Sequence, residues 1–157
     1  MIIITAYSCQ HGWTFNSRTH KCYKFVHAAK TWTQANRECK RIAPTEGSGH
    51  KPIVKRHLAS ISSKAENDFV KGLIGTCLKC NAWLGGTKLG DGTWTWTDGS
   101  HWGYTSWSQS PVKEPNNSGG HEDSLVMWGY AGRGLWNDTP SRQLHSFVCQ
   151  YLDMGQF

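Results

Sequence analysis

The stretch EPNNSGGHEDSLVMWGYAGRGLWND, Glu114 to Asp138, packs carboxylates and carboxamides between glycines. It opens with Glu114-Pro115-Asn116, passes through Glu122-Asp123 and closes with Trp136-Asn137-Asp138. Hard oxygen donors gathered in flexible loops are what Ca²⁺ requires, since the ion takes six to eight oxygens from carboxylates, amides and water. The expectation is that this stretch holds Ca²⁺, and that the rest of the chain is a scaffold for this loop and for the strand around Cys149.

Length and composition agree with such a scaffold. A chain of 157 residues is most simply one domain, residues 1–157, and is long enough to bury a core. Nine Trp and seventeen Gly suggest short strands, many turns and some exposed aromatic surface. Six Cys fit an oxidising, extracellular compartment, so the protein is expected to be secreted. No stretch approaches the ~20 apolar residues of a membrane span. Met1-Ile2-Ile3-Ile4 is too short for a signal peptide and fits an artificial start or a first strand. The net charge of +6, partly in Lys40, Arg41, Lys51, Lys55 and Arg56, could attract nucleic acid or acidic glycans, but the plainer reading is a solvated basic loop. No nucleic-acid motif accompanies the charge, so no nucleic-acid partner is expected.

Outward from the loop, the elements follow from period and caps. Thr31-Trp32-Thr33-Gln34 fits a capping box, and Trp32, Ala35 and Cys39 share one face of the helix that follows. Lys40–Arg56 is a loop by its Pro and Gly content, and Leu58–Ile61 a short buried segment. Ser63-Lys64-Ala65-Glu66 is a second capping box. It opens a helix whose apolar stripe is Phe69, Val70, Leu73 and Ile74, with Gly75 as its stop. Thr93–Thr97 alternates with period two and ends in the turn Asp98-Gly99. Leu125–Trp128 and Ser146–Tyr151 are short strands flanking the loop.

Glu-Pro-Asn, a later Glu-Asp, and Trp-Asn-Asp ahead of a terminal Cys resemble the sugar-binding site of C-type lectins. The resemblance runs from Cys9 to about Tyr151, and Trp83-Leu84-Gly85-Gly86 is similar to the family's central strand. It implies an α+β fold, with two helices flanking small antiparallel sheets and a long calcium-binding loop. It also implies a cis bond at Glu114-Pro115, and disulfides Cys9–Cys22 around a small hairpin and Cys39–Cys149 across the domain. The family's second bridge is absent, with Ser124 and Ser141 in place of its Cys, so the loop should be less tightly stapled. A second, structural calcium site is implied at Asp91, Asn117, Glu122 and Asp123. There Asn117 stands where an acid is common, and Thr87 stands in place of another ligand. Two sequons, at Asn116 and Asn137, fall on the proposed ligands and are read as chance. Cys77 and Cys80 form a lone Cys-x-x-Cys, and no second pair supports a zinc or redox motif. They pair with each other or link two chains. Position slightly favours the inter-chain link, hence a disulfide-linked dimer within an expected homo-oligomer.

The function implied is calcium-dependent binding of glycans, and the ligand set implied by the resemblance is Glu114, Asn116, Glu122, Asn137 and Asp138 around one Ca²⁺. Each sugar hydroxyl has two lone pairs and one proton. One lone pair meets Ca²⁺, the other accepts from an Asn amide, and the proton goes to a carboxylate. Glu114 with Asn116 can serve one hydroxyl, and Glu122 with Asn137 the other. Glu-Pro-Asn in relatives accompanies mannose-type sugars. Galactose-type binding on the same site is the alternative, and a non-sugar interaction protein of this fold is another. An enzyme is the third reading, with Glu114 and Glu122 as a glycosidase pair. Acids bound to Ca²⁺ are poor proton donors, however, and no nucleophile–His arrangement stands out.

Overall fold

The computed structural model describes residues 9–41, 54–75, 77, 79–129 and 133–153. Met1–Ile4, read as an artificial start or a first strand, and most of the loop between Lys40 and Arg56 lie outside the described residues. Ten elements follow in order: β1 (Thr14–Asn16), β2 (Lys21–Lys30), α1 (Trp32–Arg41), β3 (Arg56–Leu58), α2 (Lys64–Ile74), β4 (Asn81–Lys88), β5 (Trp94–Trp96), β6 (Ser124–Trp128), β7 (Trp136–Thr139) and β8 (His145–Leu152). The expected α+β class holds, with two helices, but the strands form one mixed sheet rather than separate antiparallel ones. Its order is β1-β2-β8-β4-β6-β7, with β3 on β8 and β5 on β4. β4 and β8 run parallel where Ala82 meets Ser146 and Trp83 meets Phe147.

Strand alternation divides the core between the two faces of this sheet. Trp83, Val126, Phe147 and Cys149 pack with Ala35 and Cys39 of α1. Their neighbours Ala82, Leu84, Leu125, Met127 and Val148 pack with Val70 and Ile74 of α2. This explains why β6 reads as an unbroken apolar run, since both its faces are covered. Gly85 is required where the layers touch, because a Cβ there would lie 2.8 Å from the Leu58 carbonyl oxygen and from Thr97 Oγ1.

Both helix starts behave largely as their sequences suggest. Gln34 N–H donates to Thr31 Oγ1 at 3.3 Å, and Thr31 N–H returns to Gln34 Oε1 at 3.0 Å, closing the box. At α2 only half the box forms. Glu66 N–H donates to Ser63 Oγ at 3.1 Å, but the Glu66 carboxylate turns inward. It accepts from Ser62 N–H at 2.6 Å, from Lys21 Nζ at 2.8 Å and from the Tyr23 hydroxyl. Gly75 caps α2 as expected, but in right-handed helical conformation, at φ −52°.

Cys9–Cys22 and Cys39–Cys149 pair as the resemblance implied. The inter-chain link favoured for Cys77 and Cys80 is corrected, since the two close a local bridge with each other. The turn after α2 makes this possible: Cys77 N–H donates to the Ile74 carbonyl and Cys80 N–H to the Cys77 carbonyl, bringing the two Cα atoms to 5.3 Å.

Burial alone would raise the Glu66 carboxyl, but Lys21, Tyr23 and Ser62 outweigh it and hold it below the usual range. Glu66→Gln removes the charge that Lys21 faces and should cost about 2 kcal/mol in urea unfolding at neutral pH. A carboxyl held low contributes stability above its unfolded value and loses it as pH falls through its folded one. The gap between wild type and variant should therefore narrow in strong acid.

Candidate functional site

β7 presents the site by anchoring one residue and freeing the next ones. Trp136 is fully buried, and its Nε1–H donates to Asn67 Oδ1 at 2.8 Å. Asn67 Nδ2 donates in turn to the Gly134 carbonyl at 3.0 Å, so α2 holds the strand from both sides of the indole. Trp96, Trp107 and Tyr104 meet the Trp136 ring edge-on. The incoming loop is tied to the same residue. Trp136 N–H donates to the Ser106 carbonyl at 2.8 Å, Ser108 N–H to the Trp136 carbonyl at 3.0 Å, and Glu114 N–H to the Ser108 carbonyl at 2.8 Å.

This lattice brings Glu114 against Asp138. The Glu114–Pro115 peptide is cis, as the resemblance implied, and so is Ser110–Pro111, which sequence reading did not foresee. Asn116 Nδ2 donates to Glu114 Oε1 at 3.2 Å, and Asn116 N–H lies 3.1 Å from Glu114 Oε2 and 3.0 Å from Asp138 Oδ1. Asn117 N–H donates to Asp138 Oδ2 at 2.8 Å. Asn117 takes a left-handed conformation at φ 49° and accepts Glu122 N–H on its side-chain oxygen at 3.0 Å. Ser118 N–H reaches both Glu122 Oε2 at 2.6 Å and Asn116 Oδ1 at 2.8 Å.

Four of the five expected residues, Glu114, Asn116, Glu122 and Asp138, are thus joined through contacts of one loop. Asn137 stands beside them on β7, but its Nδ2 donates to Thr139 Oγ1 at 3.0 Å. Of the second expected set, Asn117 and Glu122 touch. Asp91 uses Oδ1 on the hydroxyl and N–H of Thr93, and Asp123 Oδ1 accepts from Ser124. Sequence reading missed two contributors. Asn67, on α2 and remote in sequence from the loop, anchors Trp136 through space alone. Ser118 contributes a backbone N–H, which no residue type advertises.

Glu114 is pushed up to about 7, first by burial and then by the hydrogen bond and charge of Asp138, with Glu122 adding and Asn116 N–H opposing. Burial, joined by the Asp138 charge, also raises Glu122 against Ser118 N–H and Lys88. Carboxylates held together without a cation beside them raise one another in this way. A divalent cation would relieve that repulsion. Carboxylate and carboxamide oxygens are the donors Ca²⁺ takes, so the residues present fit the ion.

The Lectin C-type domain family model matches residues 28–151. A lectin of Pleurodeles waltl is 35% identical over 149 residues, covering 91% of this chain and 76% of that protein. A C-type lectin mannose-binding isoform of Oxyuranus scutellatus is 35% identical over 132 residues, covering 82% of this chain and 75% of that protein. The crystal structure of the C-type lectin CEL-I from Cucumaria echinata superposes with a TM-score of 0.78 at 27% identity, covering 93% of this chain and 99% of that one. A family match over most of the chain, together with the same fold, shows that this chain belongs to the C-type lectin domain family, whose members bind their ligands without transforming them.

Proposed function

We propose that the protein is a secreted, calcium-dependent lectin that takes mannose-type sugars at the loop built by Glu114, Asn116, Glu122, Asn137 and Asp138. The observation that carries this reading is the contact of the Glu114 carboxylate with the Asn116 carboxamide, 3.2 Å apart, beside the buried Asp138. It is the acid–amide pair that one sugar hydroxyl needs: the carboxylate accepts the hydroxyl proton and the carboxamide donates to the free lone pair. Glu122 and Asn137 supply the second pair once Asn137 turns its amide from Thr139. Ca²⁺, held by these five residues, would supply open coordination positions that take two vicinal hydroxyls together. Asp138 also orders the loop backbone before any ligand arrives, which lowers the entropy cost of binding.

Three disulfides, which persist in oxidising compartments, support the secreted reading. A monosaccharide bound through two hydroxyls is held at about millimolar strength, so assembly of several copies by non-covalent contacts would raise avidity toward multivalent glycans.

Glu114→Gln and Asn137→Ala should each weaken mannose binding by more than about 100-fold, or ~2.7 kcal/mol, in isothermal titration with saturating Ca²⁺. Without Ca²⁺, Glu114→Gln should leave the fold as stable as wild type or more so, because a repelled carboxylate has gone. Retained sugar binding in either variant would remove the proposed site.

Acidity should act in opposite directions on the two forms. The Glu114 carboxyl rises from 4.5 to about 7 on folding without the ion, so the folded state binds the extra proton. Its contribution to the apo protein improves as pH falls through that window and is lost as pH rises above it. Ca²⁺ needs the ionised carboxylate, so calcium affinity should fall over the same range. Thermal unfolding between about pH 8 and about pH 5 should show the stabilisation by Ca²⁺ shrinking as acid is added. A stabilisation independent of pH would argue that the ion sits elsewhere.

In competition assays, mannose and glucose, with equatorial 3- and 4-hydroxyls, should displace a mannosylated probe better than galactose. A galactose preference would transfer the specificity to an aromatic contact.

A further inference from the structure

The bridge after α2 does not stand alone. His27, on β2 and remote in sequence, lies with its Nε2 3.6 Å from Cys80 Sγ. Both sulfurs and a His27 ring nitrogen lie within 4.8 Å of one another. An open cavity of about 270 Å³ borders the group and is lined by His27, Lys79, Cys80, Asn81 and His145 among others. The cluster sits at the end of β4 where Asn81 pairs with Trp128, whereas Thr87, at the loop end, pairs with Ser124. At the rise of a strand this separates the two regions by about 20 Å.

We propose that Cys77, Cys80 and His27 form a redox-gated site for a thiophilic divalent cation of the Zn²⁺ class. In the oxidised chain the sulfurs are joined and hold no ion. Reduction by a low-molecular-weight thiol opens the site. Two thiol molecules give up two electrons and two protons, the S–S bond breaks, Cys77 and Cys80 each gain a hydrogen, and the thiols leave as their own disulfide. Zn²⁺ then displaces the two cysteine protons and takes two thiolates and the imidazole nitrogen, the ligand types it prefers. The cavity leaves room for water at the fourth position. Burial sets Cys39–Cys149 apart, since both its cysteines are fully buried, while Cys9–Cys22 and Cys77–Cys80 each keep one half-buried partner; what distinguishes Cys77–Cys80 is the open cavity that Cys80 lines. The Cys-x-x-Cys pair was visible in the sequence. Its third ligand comes from another strand, which is why spacing alone did not support a metal reading.

The test uses the full chain with Ca²⁺ present, so that the loop is occupied. Reduced glutathione is added in steps, free thiols are mapped by alkylation and mass spectrometry, and Zn²⁺ is titrated after the thiol is removed. Cys77 and Cys80 should open first, and the opened chain should bind one Zn²⁺ more than the oxidised chain does. That ion should be lost in Cys77→Ser, Cys80→Ser and in reduced wild type whose thiols are alkylated before titration, a control that needs no refolded variant. His27→Ala should weaken it by at least about tenfold. Earlier opening of Cys9–Cys22, or equal zinc uptake by the oxidised and reduced chains, would overturn the proposal. Unchanged zinc affinity in His27→Ala would overturn it as well.

Discussion

The hydrogen bond between the Trp136 indole and the Asn67 carboxamide is the contact on which the site depends. A four-residue strand at the edge of a sheet has little to fix it. Trp136 fixes β7 by filling the aromatic cluster of Trp96, Trp102, Trp107 and Tyr104, and Asn67 satisfies a donor that would otherwise be buried without a partner. The backbone of the same residue then receives Ser108 and reaches Ser106, so the loop that delivers Glu114 is registered against the strand that delivers Asp138. Core packing and site geometry meet in one side chain.

Two buried acids show how position decides what a carboxylate does here. Glu66 is fully buried, yet it is held low because Lys21, Tyr23 and Ser62 compensate its charge. It belongs to a network that runs on through Ser60 to Gln150 and Asp98 and ties α2 to the sheet. Glu114 is nearly as buried, but its closest charged neighbour is Asp138, and it is pushed up to about 7. The first arrangement is complete within the chain. The second sets two carboxylates against each other, and that shared charge is what the proposed cation would offset.

The loop is also held without the second disulfide that its relatives' pattern would place at Ser124 and Ser141. Asp138 takes over part of that task, with its two oxygens accepting from Asn116 and Asn117 N–H. Charge-assisted hydrogen bonds to consecutive backbone N–H groups fix a loop locally. Asp138, a proposed calcium ligand, thereby also serves as a staple.

The sequence by itself determined the two helices, several of the strands and the chemical character of the loop, but it read Trp136–Asp138 as loop where the structure has β7. Capping residues and apolar periods located both helices, since these depend on neighbours three and four residues apart. The motifs Glu114-Pro115-Asn116 and Trp136-Asn137-Asp138 gave the carboxylates and carboxamides on which the proposed site rests, because residue identity sets side-chain chemistry. Tertiary structure decided whatever depends on groups distant in the chain. It turned Glu66 from a cap into the partner of Lys21, and it engaged Asn137 with Thr139 and Asp91 with Thr93. It closed Cys77 onto Cys80 instead of a second chain and brought His27 to their side. It made β4 and β8 a parallel pair at the centre of one mixed sheet. Local sequence fixes dihedral preferences and chemistry over a few residues. Which buried donor meets which acceptor is settled only when the whole core packs.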